Sequence, residues 1–110
     1  MSKESQIIED LYDIIDSRKG GNPEKSYTSK LFQRGRAQIC KKLGEEATEV
    51  IVASLAQKNA DVVAESGDLL YHLLVLWADH GIDPKDIWKE LARRTGTSGI
   101  DEKKSRKNRA

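Results

Sequence analysis

Apolar residues recur every three or four positions along most of this chain, and no stretch alternates convincingly with a period of two. Such spacing is typical of amphipathic α-helices. The first pattern predicts a helix from Glu4 to Arg18, with Ile7, Leu11 and Ile15 on its apolar face. The glycines and the proline of KGGNPEK end this helix, because glycine favours helix ends and proline cannot continue a helix.

The central part of the chain carries two longer helical patterns. The polar connector SYTSKLFQRG before them is expected to hold a short turn of helix, capped by Thr28 or Ser29. The first long helix is predicted from Arg36 to about Gln57, and the second from Asp61 to about His80. The second is apolar over most of its circumference, which indicates the central and most buried helix of the fold.

A proline marks the start of the last predicted helix. Asp83 is the expected N-cap, Pro84 takes the first helical position, and the helix runs to Arg94. No regular structure is expected from Gly96 onward, so we predict one helical domain over residues 1–95 and a basic, flexible C-terminal tail over residues 96–110. The fold class is therefore all-α, a helical bundle built on a central antiparallel hairpin and completed by dimerisation.

Composition narrows the class of protein. The 110 residues are 37% hydrophobic and 34% charged, as expected for one globular domain, and the net charge of +1 does not favour nucleic acid or an anionic membrane as a partner. The single cysteine, Cys40, excludes an internal disulfide, and the N-terminal residues lack the apolar core of a signal peptide. The longest apolar run is too short to span a bilayer. We expect a cytoplasmic protein.

Carboxylates recur on one face of two successive predicted helices. In LGEEATEV, Glu45, Glu46 and Glu49 share a face because residues three and four apart are neighbours on a helix. The next helix, otherwise the most apolar of the chain, carries Asp61, Glu65, Asp68 and His72 at the same spacing. An E-E-x-x-E string alone is usually a solvated face, but a second acidic stripe on the most apolar helix argues against surface decoration.

A turn at Asn59 would bring the two stripes together. It would place Glu49 level with Asp68, and Glu46 level with His72. Carboxylates in such positions repel one another and raise one another's pKa. Because a single histidine shares the stripe, a divalent cation is the simplest neutralising partner, and carboxylate oxygens favour Mg²⁺ or Mn²⁺ over zinc.

The paired motifs EEATE and ESGD resemble the E-x-x-E and E-x-x-D motifs of the all-α, MazG-like nucleotide pyrophosphohydrolases. This resemblance implies Mg²⁺ ligands at Glu46, Glu49, Glu65 and Asp68, with Glu45 as the acid beside the first pair. The stretches SYTSKLF, KKLGEEATEV, ESGDLLYHLLVLW and RRTGTSGIDEKKSR are similar, more narrowly, to the phosphoribosyl-ATP pyrophosphohydrolase family. That similarity implies hydrolysis of phosphoribosyl-ATP to phosphoribosyl-AMP and pyrophosphate in histidine biosynthesis, by a metal-activated water.

The roles of the other polar residues are less sharply defined. Glu45 or Glu49 is the candidate general base for the attacking water. His72 is expected to lie behind the metal ligands or in the core rather than on the metal. Basic groups that hold the substrate phosphates are expected among Lys30, Arg34, Lys41, Lys42, Lys103, Lys104 and Arg106.

Two other functions remain open at this point. A MazG-like enzyme that hydrolyses damaged or surplus nucleoside triphosphates would share the same acids. A non-catalytic helical module, which binds a protein or nucleic acid through the basic tail, belongs to a different class and leaves the acidic stripe unexplained. The expected assembly is at least a homodimer, because a second copy would cover the apolar area of so short a set of helices.

Overall fold

The computed structural model describes residues 3–96 and 98–107, and this part of the chain contains six α-helices and no strand. They are α1 (Lys3–Asp16), α2 (Tyr27–Arg34), α3 (Arg36–Leu55), α4 (Asn59–His80), α5 (Pro84–Arg94) and α6 (Gly99–Lys107). The prediction of an all-α fold is therefore confirmed for the described residues. None of these helices is long and apolar enough to cross a membrane.

The connector before α3 forms a full helix rather than a single turn. Its N-cap is Ser26, whose backbone is extended and whose Oγ accepts a hydrogen bond from the Ser29 N–H at 3.1 Å. The prediction of Thr28 or Ser29 as the cap was wrong, because both lie inside α2 and are buried. Their hydroxyls instead bond outside the helix, that of Thr28 to the hydroxyl of Tyr71 on α4.

The start of α5 agrees with the sequence. The Asp83 Oδ1 accepts a hydrogen bond from the Lys85 N–H at 2.8 Å, and Pro84 occupies the first turn. The helix ends at Arg94, as predicted. This boundary was predictable because the Asp-Pro pair is a local signal that needs no tertiary contact.

The expectation that no regular structure follows Gly96 was wrong, because α6 covers Gly99–Lys107. Its Glu102 is only 4% exposed and accepts a hydrogen bond from the Arg93 guanidinium of α5 at 2.6 Å. We call this group the α5–α6 cluster; it comprises Glu90, Glu102, Arg93, Arg94 and Arg106, joined by ion pairs. The cluster attaches α6 to α5.

The apolar core lies at the end of the α3–α4 pair that is far from the turn joining the two helices. The core cluster comprises Ile15 from α1, Leu31 from α2, Ile39 from α3, and Leu74, Val75 and Ala78 from α4. Toward the turn, large apolar side chains are exposed instead: Ile51 by 58%, Leu55 by 79% and Val63 by 73%. The end of the pair nearer the turn therefore presents an uncovered apolar surface.

The turn between α3 and α4 is centred near Gln57, which has a positive φ of 59°. The expected centre was Asn59, which is instead the first residue of α4. The turn is centred two residues earlier than expected. A residue of α3 therefore lies opposite a residue of α4 that is about four positions, or one helical turn, earlier than the expected partner. This shift decides which acids meet.

Candidate active site

Three carboxylates from α3 and α4 converge. Glu46, Glu65 and Asp68 each offer one oxygen, and these oxygens lie within 4.8 Å of one another. We call these three residues the acidic cluster. The expected alignment of Glu46 with His72 was wrong: the earlier turn sets Glu46 against Asp68 and Glu65.

The electrostatic surroundings of the acidic cluster are mostly acidic, and Lys42, whose pKa is raised first by its bond to Glu45 and also by Glu46, is a basic side chain beside it. The pKa of Glu65 is raised, first by loss of solvent around the carboxyl and then by Asp68, Glu49, Glu46 and Asp61. None of the three members forms an ion pair with a basic side chain in residues 3–96 or 98–107. Three converging carboxylate oxygens that form no ion pair with a described base are the chemistry that a hard divalent cation such as Mg²⁺ binds.

Glu49 lies beside the acidic cluster without joining it. Its charge contributes to the raised pKa of Glu65, so the two carboxyls are close. It is not one of the three residues whose oxygens converge within 4.8 Å. The side chain is exposed and forms no ion pair within the described ranges, so solvent can reach it.

Glu45 is held by a lysine. The Lys42 Nζ donates to the Glu45 Oε2 at 2.9 Å, and this hydrogen bond is the main cause that lowers the pKa of the Glu45 carboxyl. The same bond raises the pKa of Lys42. Lys41 also lowers the pKa of Glu45, so both lysines lie near the acids of α3.

His72 is buried behind the acidic cluster. Its Nδ1 lies 2.8 Å from the Asp68 carbonyl oxygen and its Nε2 lies 3.1 Å from the Tyr27 hydroxyl. A carbonyl only accepts, so Nδ1 donates the proton, and in the neutral ring Nε2 accepts from Tyr27. Both ring nitrogens are thereby engaged, and neither faces a cation while these bonds persist. Sequence reasoning did not single out Tyr27, although it lies in the quoted SYTSKLF stretch.

The remaining candidate cations lie elsewhere. Arg106 faces Glu102 at 3.2 Å within the α5–α6 cluster. No hydrogen bond or ion pair of the described chain joins the side chains of the other four to the acidic cluster. These four are Lys30 and Arg34 on α2, and Lys103 and Lys104 on α6, all exposed. Among the seven candidates, Lys41 and Lys42 act electrostatically on Glu45, and Lys42 also interacts with Glu46.

Comparison with known proteins identifies the family that carries this site. Residues 8–95 match the family described as phosphoribosyl-ATP pyrophosphohydrolase. The chain belongs to this family.

Similar proteins named phosphoribosyl-ATP pyrophosphatase occur in several bacteria. The one from Paramagnetospirillum magneticum is 62% identical over 106 residues, which cover 96% of this chain and 97% of the relative. The one from Rhodospirillum rubrum is 60% identical, over 93% of this chain and 87% of the relative. The one from Azospirillum brasilense is 51% identical, over 93% and 92%. The family match at residues 8–95 includes the three residues of the acidic cluster.

Proposed function

We propose that this chain hydrolyses phosphoribosyl-ATP to phosphoribosyl-AMP and pyrophosphate, the second step of histidine biosynthesis. Its family and the names of relatives that match nearly its whole length support this activity. The structural observation that carries the proposal is the acidic cluster, in which three carboxylates meet without a described basic partner. Pyrophosphate is a highly charged leaving group, so its release requires strong positive charge at the site.

The acidic cluster fits Mg²⁺, with Mn²⁺ as the alternative. Glu46, Glu65 and Asp68 would hold the ion through oxygen donors alone. The raised pKa of Glu65 reflects loss of solvent first and then repulsion by neighbouring carboxylates, and a cation would relieve that repulsion. When bound, such an ion would neutralise charge on the phosphate oxygens and orient the attacking water. His72 fixes the backbone of Asp68 from behind through the bond to its carbonyl.

We assign the general base to Glu49 rather than Glu45. The Glu45 carboxylate already accepts a hydrogen bond from Lys42, and its lowered pKa makes it a weaker proton acceptor. Glu49 has no such partner among the described residues and lies next to Glu65. Lys41 and Lys42, which lie near Glu45, would contact the phosphates of a nucleotide bound at the acidic cluster.

We further propose that the chain works as a homodimer in the cytoplasm. The exposed apolar residues near the turn, Ile51, Leu55 and Val63, would form the contact between the two copies. The single cysteine is compatible with a reducing compartment. Sedimentation equilibrium should give twice the chain mass of 12.3 kDa, and Leu55→Lys together with Val63→Lys should return it to one chain mass.

³¹P NMR tests the activity directly. The purified protein is mixed with phosphoribosyl-ATP and Mg²⁺, then with excess chelator, beside a panel of ordinary nucleoside triphosphates. We expect pyrophosphate from phosphoribosyl-ATP alone, and only with the metal. If the ordinary triphosphates release pyrophosphate instead, the substrate assignment would be wrong and the metal-site assignment would stand. If no compound releases pyrophosphate, the acidic cluster would be a binding site only.

A further inference from the structure

A cavity of about 520 Å³ lies between the C-terminal end of α1, the segment that follows it, and the first turn of α2. Two cationic side chains, Arg18 and Lys25, line it, and its described lining contains no carboxylate. The other polar side chains of the wall include Ser17, Asn22 and Ser26. A concave site with two cations, several neutral hydrogen-bonding groups and no acid is suited to an anion.

Both cations of the cavity lack an acidic partner. Neither Arg18 nor Lys25 forms an ion pair within the described residues, whereas Lys19, next in the chain, pairs with Asp16 at 3.2 Å. Within the described residues, both cations are therefore available to an anion that enters the cavity. Guanidinium and ammonium groups that no carboxylate binds are the usual ligands of phosphate.

The wall that carries Arg18 is fixed against α2. The Ser29 hydroxyl donates to the Arg18 carbonyl at 2.7 Å. Gly21 permits this approach, because a Cβ at that position would lie 2.6 Å from the Ser29 Oγ. The cavity wall is therefore held in place by specific contacts between α2 and the segment that follows α1.

Tyr27 links the cavity to the acidic cluster through hydrogen bonds. Tyr27 lines the cavity, and its hydroxyl lies 3.1 Å from the His72 Nε2. His72 in turn bonds the carbonyl of Asp68, a member of the acidic cluster, at 2.8 Å. Two hydrogen bonds thus connect a residue of the cavity wall to the backbone of a member of the acidic cluster.

We propose that this cavity binds the 5′-phosphate of the phosphoribosyl group, with Arg18 and Lys25 as its ligands, while the triphosphate of the same substrate lies at the acidic cluster. The assignment rests on the proposed function, since it concerns the second end of that substrate. Phosphoribosyl-ATP carries a phosphomonoester that an ordinary nucleoside triphosphate lacks. The cavity would therefore supply the discrimination between the two, which the metal site cannot.

Steady-state kinetics test the assignment with a matched control. Arg18→Gln and Lys25→Gln should each lower kcat/KM for phosphoribosyl-ATP by about 10- to 100-fold, mainly through KM, the usual effect of losing one charge-assisted hydrogen bond. Lys19→Gln removes the same charge one residue away, outside the cavity, and should stay within about twofold of wild type. Equal losses in all three variants, or losses in none, would overturn the assignment.

Direct binding separates this assignment from the proposed function. Ribose 5-phosphate is titrated to about 20 mM against ¹⁵N-labelled protein, with ribose as the neutral control. We expect shifts in the amide signals of residues 26–29 in wild type and Lys19→Gln, and none in a folded Arg18→Gln; ribose should produce none in any of them. Absence of these shifts in wild type would refute the cavity assignment even if hydrolysis occurs. Their presence without hydrolysis would support the cavity and refute the activity.

Discussion

The acidic cluster and the α5–α6 cluster place the same residue types in opposite electrostatic surroundings. In the acidic cluster, burial and neighbouring carboxylates raise the pKa of Glu65. In the α5–α6 cluster, hydrogen bonds from Arg93 and Arg94 lower the pKa of Glu90 to about 2. An acid that arginine binds already has a cationic partner, whereas converging acids without an ion-paired base are suited to binding a cation from solution. The arginine-bound acids of the α5–α6 cluster join two helices of the fold, and the carboxylates of the acidic cluster are suited to chemistry.

The largest difference should appear in turnover. Glu46→Gln removes one charged oxygen donor from the acidic cluster, and pyrophosphate release from phosphoribosyl-ATP should fall by at least about 10³-fold, because several kcal/mol of transition-state stabilisation depend on a bound cation. The control, Glu90→Gln, changes an acid of the α5–α6 cluster and should stay within about threefold of wild type. Wild-type turnover in a folded Glu46→Gln protein would refute the metal assignment.

The second largest difference between the two clusters should appear in how much a bound metal stabilises the protein. With Mg²⁺ at about 100 times its Kd, the free energy of unfolding should rise by about 2.7 kcal/mol over that in chelator, because the ion binds only the folded state. Calorimetric scans should show this shift in wild type and in Glu90→Gln, and little of it in Glu46→Gln. An equal shift in all three proteins would place the bound ion elsewhere.

Without metal, neutralising one acid in each cluster should have opposite signs. In chelator, Glu65→Gln should raise Tm by a few degrees, since it removes a carboxylate that its surroundings disfavour. Glu102→Gln should lower Tm, since the amide cannot replace the carboxylate that Arg93 binds. Paired thermal scans in chelator check both signs, and shifts of the same sign would remove the distinction between the clusters.

The smallest expected effect is the pH dependence of the stability that Glu90 contributes. A lowered folded-state pKa means that Glu90 contributes stability fully above its ordinary pKa of 4.5, and that this contribution is lost as pH falls toward about 2. The helical content measured by circular dichroism should therefore decline over this window, and the decline should be shallower in Glu90→Gln. A decline that is identical in the two proteins would assign the acid sensitivity to other carboxyls.

The sequence predicted those parts of the fold that local signals determine. Asp83 and Pro84 mark the start of α5 by themselves, and the structure agrees. The helix α6 was missed because its burial depends on Glu102 meeting Arg93, a contact between helices that no local pattern reveals. The turn was misplaced because its centre, Gln57, adopts a positive φ without being a glycine or an asparagine, the residues that would signal it in the sequence.

The candidate site also contains features that the sequence predicted and features that only the folded structure reveals. The spacing of Glu46, Glu65 and Asp68 was visible in the sequence, because each lies on a helical stripe. The hydrogen bond between Tyr27 and His72 was not, since these residues are 45 positions apart and meet only when α2 packs on α4. Arg18 was unremarkable as the last residue of a predicted helix, and only the folded connection places it on a cavity wall.

The short turn at Gln57 has a consequence for how the chain folds. Glu46 and Glu65 belong to one contiguous helix–turn–helix segment, so bringing them together closes a short loop, at a small cost in chain entropy. The core contact between α1 and α4 joins Ile15 to a cluster that includes Leu74, and it closes a much longer loop. Local closures form faster than distant ones. The carboxylates of the acidic cluster can therefore meet before the core is complete, and a cation present at that stage would act as a template for the rest of the chain.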